Sequence, residues 1–181
     1  TLTLYAGTQS RQLVIGSRTA QGEQLYVQVV GTEGVFVVDA RLLQLLPGKV
    51  DDWRDTGLVD LRTITFDHLI VSNAATLLHL KQEHTNALWR LTYPLPARAD
   101  NFRLIDALQK LHGTRVAGFV TDDPRSEAES FGFQNPELEL TLAQGTNIVT
   151  ALQFGKSPTN DSTLVYARRT GFPTIVTVER Q

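Results

Sequence analysis

The sequence predicts an α+β protein in which antiparallel β-meanders alternate with short helices. Three observations carry this prediction. Short runs of alternating apolar and polar residues, punctuated by glycines, occupy both ends of the chain. A helical pattern bounded by Asp100 and Gly113 stands between them. The first run recurs in the last with a period of about 139 residues, far longer than the roughly 20 to 50 of a solenoid unit.

The elements follow in order. Strand patterns at 1–5, 12–15, 24–29 and 35–38 are separated or flanked by Gly7, Gly16, Gly22, Gly31 and Gly34, as turns joining antiparallel strands require. Asp39 is the expected cap of a short helix over 41–46, which Pro47-Gly48 ends. A helical turn near 50–55 precedes strands at 63–66, 69–71, 76–81 and 88–92, and Pro94 and Pro96 close that group. Asp100 is the N-cap of the longest helix, over 100–111. Leu104, Leu108 and Leu111 fall at i, i+4 and i+7, Phe102 and Ile105 join the same broad side, and Gly113 is the C-terminal cap. A strand at 115–120 and a short helix opened by Asp123-Pro124 and running to Ser130 complete the middle.

The final stretch parallels the first. Thr141-Leu142 before Gly145-Thr146 matches Thr3-Leu4 before Gly7-Thr8, and Leu152-Gln153-Phe154-Gly155 matches Leu13-Val14-Ile15-Gly16. Val165-Tyr166-Ala167 then matches Leu25-Tyr26-Val27, and Ile175-Val176-Thr177-Val178 matches Val35-Phe36-Val37-Val38. The offset drifts from 138 between Gly7 and Gly145 to 140 between Gly31 and Gly171, which two one-residue changes in turn length explain. The expected organisation is 1–58 as a first meander with short helices, 59–130 as strand hairpins, a Trp-Pro turn and the main helix, and 131–181 as a second meander repeating 1–40. The chain has no methionine and Thr1 already lies in a strand pattern, so it reads as a domain of a longer protein. A counterpart of Phe131-Gly132-Phe133-Gln134-Asn135-Pro136 is expected upstream of Thr1.

Composition limits function. With 17 Lys plus Arg against 19 Asp plus Glu, the net charge is −2 and the pI about 6.1, so no nucleic-acid partner is expected. The chain has no cysteine, which excludes disulfides, thiolate metal sites and cysteine nucleophiles. Its apolar runs, such as Val35-Phe36-Val37-Val38, fall far short of the roughly 18 residues of a membrane helix, so this fragment is not expected to insert in a bilayer.

The sequence assigns no catalytic, cofactor-binding or metal-binding residue, and the chain reads as non-enzymatic. His68, His79, His84 and His112 form no metal-binding spacing, and neither a Gly-x-Ser-x-Gly elbow nor a Gly-x-x-x-x-Gly-Lys loop occurs. Asp67 and His68 are adjacent, and adjacent strand residues point to opposite faces, so the pair is expected to be incidental. Gly7-Thr8-Gln9-Ser10 and Gly145-Thr146-Asn147 read as hairpin connections. Trp89 suits a core plug better than a recognition aromatic, and Trp53, among charged neighbours, is expected to be partly exposed. Arg168 and Arg169 should place one guanidinium on each face of a solvated strand, Asp39 and Glu179 end equivalent strands, and Asn160-Asp161-Ser162 matches a glycosylation sequon.

Several of these patterns resemble one family. Phe131-Gly132-Phe133-Gln134-Asn135-Pro136 is similar to the Tyr-Gly-Leu-Asp-x-Pro signature that precedes a meander in the domain of unknown function 4340 family. The apolar triplet before Gly155, the Val165-Tyr166-Ala167-Arg168 segment and Trp89-Arg90-Leu91-Thr92-Tyr93-Pro94 followed by Ala99-Asp100 resemble its other motifs. Asp52-Trp53-Arg54-Asp55 resembles its Leu-Arg-Asp-Lys turn, with Trp53 and Thr56 as departures. The resemblance spans the chain and names no reaction or cofactor. It implies a bacterial, extracytoplasmic protein held by a membrane segment upstream, accompanying auxiliary components of ABC transporters similar to those of gliding-motility systems. The expected function is therefore a non-catalytic interaction domain with protein partners. The alternative is a small-molecule- or glycan-binding, or cell-envelope hydrolytic, domain with a cleft between the repeated meanders.

Overall fold

A computed structural model describes residues 1–46, 48–123 and 128–180. The chain divides into two compact units, Thr1–Arg54 and Asp55–Gln181.

In the first unit β1 (Leu2–Ala6), β2 (Gln9–Arg18), β3 (Gln24–Val29) and β4 (Phe36–Asp39) form a four-stranded antiparallel meander in chain order. The period-2 pattern turns Leu13, Ile15, Leu25, Val27 and Val38 to one face, where Ala40 and Leu42 join them. Among the described residues of this unit, only Leu25, Val27 and Ala40 are buried hydrophobics, a thin core for a unit of this size. The helix α1 spans Leu42–Leu45, shorter than the 41–46 expected. Asp39 does not cap it. Its carboxylate accepts the N–H of Arg41 at 2.8 Å, closing a turn before the helix begins, and Pro47 lies outside the described residues. A 3-10 turn at Val50–Trp53 ends the unit.

The second unit holds a nine-stranded, wholly antiparallel sheet. Its strands are β5 (His68–Ser72), β6 (Leu77–Gln82), β7 (Trp89–Tyr93), β8 (Ala97–Arg98), β9 (Val116–Thr121), β10 (Leu138–Gln144), β11 (Asn147–Phe154), β12 (Leu164–Arg169) and β13 (Ile175–Glu179). Their order is β8-β7-β6-β5-β10-β11-β12-β13-β9, so the middle hairpins and the last meander share one sheet. The helix α2 (Asn101–Gly113) is the longest, and Asp100 caps it by accepting the N–H of Arg103 at 3.1 Å. Leu58, Val59, Leu152, Val165 and Val178 form one buried cluster of the unit, and Leu69, Trp89 and Leu142 another.

Three local expectations fail here for physical reasons. No strand forms at 63–66: Asp60 accepts the N–H of Arg62 at 3.0 Å and the hydroxyl of Thr63 bonds the Asp60 carbonyl, locking Leu61–Thr63 into a 3-10 turn. Phe102 and Ile105 do not join Leu104 on the sheet-facing side; both are exposed, lying about 200° and about 100° of helix rotation from it. Gly113 belongs to the last turn of α2, which Thr114 closes with its N–H on the Leu111 carbonyl. The expected helix from Asp123-Pro124 falls largely outside the described residues, and a 3-10 turn at Ala128–Phe131 follows.

The two meanders have corresponding pairings. Ala6 faces Gln9 and Gln144 faces Asn147 across the first hairpins. Leu13 faces Val29 and Leu152 faces Arg169 across the second pair. Gln24 faces Asp39 and Leu164 faces Glu179 across the third. Gly7 and Gly145 have φ of 60° and 58°, and Gly31 and Gly171 have φ of 85° and 88°, the left-handed backbone their turns require. The copies differ in a register shift between Leu142 and Ala143. They differ too in burial, with Ile175, Val176, Thr177 and Val178 all buried in the second meander, covered on both faces rather than half-buried. Among the described residues, no helix is long and apolar enough to cross a membrane.

Candidate functional site

Two histidines converge on one carboxylate. Asp67 precedes β5 instead of lying in it, so its side chain is free to turn back, and its Oδ1 stands 2.6 Å from Nδ1 of His68. The expected divergence of this pair is therefore corrected: the opposite-face rule holds only where both residues are in the pleat. The same Oδ1 accepts the N–H of Gly145 at 2.8 Å, and Nε2 of His84 lies 3.9 Å from Oδ2. The Gly145 amide first, and His68 second, hold the Asp67 carboxyl below its ordinary range. This carboxylate ties the β10–β11 turn to the start of β5. His79 instead packs against Tyr93, with ring centroids 5.4 Å apart, and His112 Nδ1 lies 3.6 Å from Asp60. Among the described residues, no group of three or more His, Asp or Glu side chains is placed to hold a metal ion.

The aromatics and the basic pair also take definite places. Trp89 is 5 % exposed and packs on Phe66, the plug expected, while Trp53 is exposed. Asn101, which sequence reasoning missed, is what seats Trp89. Its Oδ1 accepts the Trp89 N–H at 2.6 Å, and its Nδ2 donates to the carbonyls of Trp89 at 3.2 Å and Ala99 at 3.0 Å. Its only sequence signal is an amide directly after a helix cap. Arg168 and Arg169 are half-buried, not solvated. Arg168 donates from Nε to Gln153 at 2.7 Å and lies over the Phe133 ring, whereas Arg169 lies over Phe172. In the sequon, Asp161 accepts the N–H of Thr163 at 2.9 Å within a turn.

Two surface features stand out among the described residues. The first is a cavity of about 510 Å³ between α2 and the large sheet, lined by apolar side chains that include Leu104, Leu108, Leu140 and Phe154. At its rim Arg180 makes two bonds to Glu137, of 2.8 and 3.2 Å, Lys110 pairs with Asp106 at 2.8 Å, and Glu179 also lines it. The second is the outward face of the four-stranded sheet. Val14, Tyr26 and Val37 point away from Leu25 and Val27 and are 40, 43 and 49 % exposed. Strands β1 and β4 are the edges of that sheet. By the same register Thr3, Gln12, Gln24 and Gln28 share that face, which is a mixed apolar and polar surface beside edge strands.

Comparison with known proteins gives one match. A family model described as Domain of unknown function (DUF4340) matches residues 1–87 and 89–181. No curated protein and no solved structure matches the chain.

Proposed function

The chain belongs to the family described as Domain of unknown function (DUF4340), and on that premise we propose that it is a non-catalytic protein-interaction module. The observation that carries this is the outward face of the four-stranded sheet, where Val14, Tyr26 and Val37 are exposed beside edge strands. The thin core of that unit supports it, because burying one more apolar side chain adds about 1.5 to 3 kcal/mol. The corresponding pairings of the two meanders support an internal repeat with a period of about 139 residues. The resemblance to the family supports the setting: an extracytoplasmic segment of a membrane-anchored protein, serving as an accessory of an ABC-type transport or gliding-motility-like system.

The test is affinity capture of the full-length protein from gently solubilised native membranes, with identification of what accompanies it. Recovery of transporter subunits, lost when residues 1–54 are deleted, is the expected result. Recovery of no specific partner by intact, abundant protein would overturn the reading.

One observation favours ligand binding as a second reading. The cavity beneath α2 is of a size that small ligands use, and its mostly apolar lining suits an apolar molecule, not a glycan. A long-chain alcohol should bind the wild type and fail to bind Leu108→Trp, which fills the space. Equal binding by both proteins would remove this reading.

A further inference from the structure

One register row at the β8 end of the large sheet is basic. His68 on β5 faces Lys81 on β6, Lys81 faces Arg90 on β7, and Arg90 faces Arg98 on β8. Directly paired residues share a face, and neighbouring strands lie about 4.8 Å apart, so the three cations Lys81, Arg90 and Arg98 stand in line within about 10 Å. The adjacent row, Leu69, Leu80, Leu91 and Ala97, points the opposite way, and Leu69 and Leu80 pack in the core. Lys81, Arg90 and Arg98 are all exposed.

Like charges directly opposite one another destabilise a sheet, so this row carries a cost that an anion relieves. The carboxylates nearby offset it only in part. Glu83 pairs with Arg90 at 3.3 Å and accepts the Asn86 amide at 2.9 Å, and Asp100 pairs with Arg103 at 3.3 Å while capping α2. Asp67 is engaged with His68. Among the described residues, no hydrogen bond or ion pair holds the side chain of Lys81 or Arg98, which leaves two positive charges uncompensated. Arg90 and Arg98 line a cavity of about 550 Å³ together with the two paired carboxylates, Glu83 and Asp100, so the row ends at a concave surface of a size that small ligands use.

We propose that this row binds a phosphomonoester group. A carboxylate has one charge and two oxygens, which a single guanidinium fork satisfies. A phosphomonoester carries about −1.5 to −2 charge at neutral pH and three acceptor oxygens, so it matches the two uncompensated cations and can span neighbouring strands. Arg98 is the principal anchor because its fork is free, Arg90 adds the donors that Glu83 leaves, and Lys81 supplies charge on the other side of Arg90. Glu83 competes with the ligand for Arg90, so removing its charge strengthens binding. The site belongs to the second unit and does not depend on the interaction reading.

The test titrates the whole 181-residue chain with inorganic phosphate at constant ionic strength, following the arginine Nε–H signals by NMR. Saturable shifts should appear at Arg90 and Arg98, and acetate at the same ionic strength should give none. Affinity should fall about tenfold or more in Arg98→Ala and rise about threefold in Glu83→Gln. Unchanged amide spectra away from the row show that the two variants remain folded. A second arm, sedimentation with phosphatidylcholine vesicles containing phosphatidic acid, separates a lipid headgroup from a soluble phosphate. Binding to these vesicles that is absent from phosphatidylcholine alone and lost in Arg98→Ala assigns the phosphate to a lipid, and binding of inorganic phosphate alone assigns it to a soluble ligand. No response in either arm, an equal response to acetate, or an Arg98→Ala protein that binds as the wild type does would overturn the inference.

Discussion

The ring of Phe131 stands edge-on to that of Tyr166, with centroids 5.0 Å apart and planes at 82°, and the chain that carries it runs directly over Gly155. A glycine, a crossing backbone and an aromatic pair thus form one unit of structure. Edge-to-face pairs contribute about 0.5 to 1.5 kcal/mol beyond the area they bury. The glycine's role is different, since it is the absence of an atom that lets the pair form.

Gly155→Ala therefore forces Phe131 away from Tyr166 and should destabilise the protein by about 2 to 3 kcal/mol, the cost of overpacking a close contact. Gly16→Ala, whose added carbon meets the Tyr26 carbonyl oxygen at 3.2 Å and other Tyr26 atoms no closer than 3.5 Å, should cost less than about 1 kcal/mol. Urea unfolding of the two variants checks the difference. Equal losses would mean that the crossing segment does not set the need for glycine.

Leu25→Ala removes the most deeply buried side chain of the first unit and should cost that unit about 2 to 5 kcal/mol. Because so few residues share that core, the strands β1 to β4 should lose hydrogen-exchange protection while β10 to β13 keep theirs. Trp89 reports the second unit independently, and its buried, blue-shifted emission should persist.

Asn101→Ala leaves the N–H and the carbonyl of Trp89 without their side-chain partner and should cost about 1 to 3 kcal/mol. Asn101→Asp restores the acceptor but not the donor, and its stability should fall between the two. Thermal melts followed by tryptophan fluorescence read this series directly.

Hydrogen bonds from the Arg62 side chain, then from its backbone N–H, lower the Asp60 carboxyl from 3.8 to about 2. A carboxyl lowered in the folded state contributes stability that is fully present above its unfolded value and lost as pH falls through the folded one. NMR titration should find Asp60 titrating near 2 in the wild type and closer to 3.8 in Arg62→Ala.

The Asp67 carboxyl is lowered chiefly by the Gly145 amide. Asp67→Asn should therefore be less stable than the wild type at neutral pH, and the gap should close as pH falls below 3.8. A gap that stays constant through acid would show that the charge at Asp67 is not what the Gly145 amide and His68 stabilise.

The sequence by itself determined the local pattern. Period-2 alternation and glycines at left-handed turns placed the strands of both meanders. The cap at Asp100, the Trp89 plug and the family resemblance were also legible, because each depends on a few neighbouring residues. Tertiary structure decided the rest. That β10 pairs with β5, joining middle and end in one sheet, is a long-range choice with no local signal. Asp67 meets His68 and the Gly145 amide only because two distant turns come together, and Asn101 reaches Trp89 only once α2 has docked. The cavity beneath α2 exists only once the helix has packed on the sheet. A sequence records which side chains can be buried; what finally covers them depends on the packing of segments far apart in the chain.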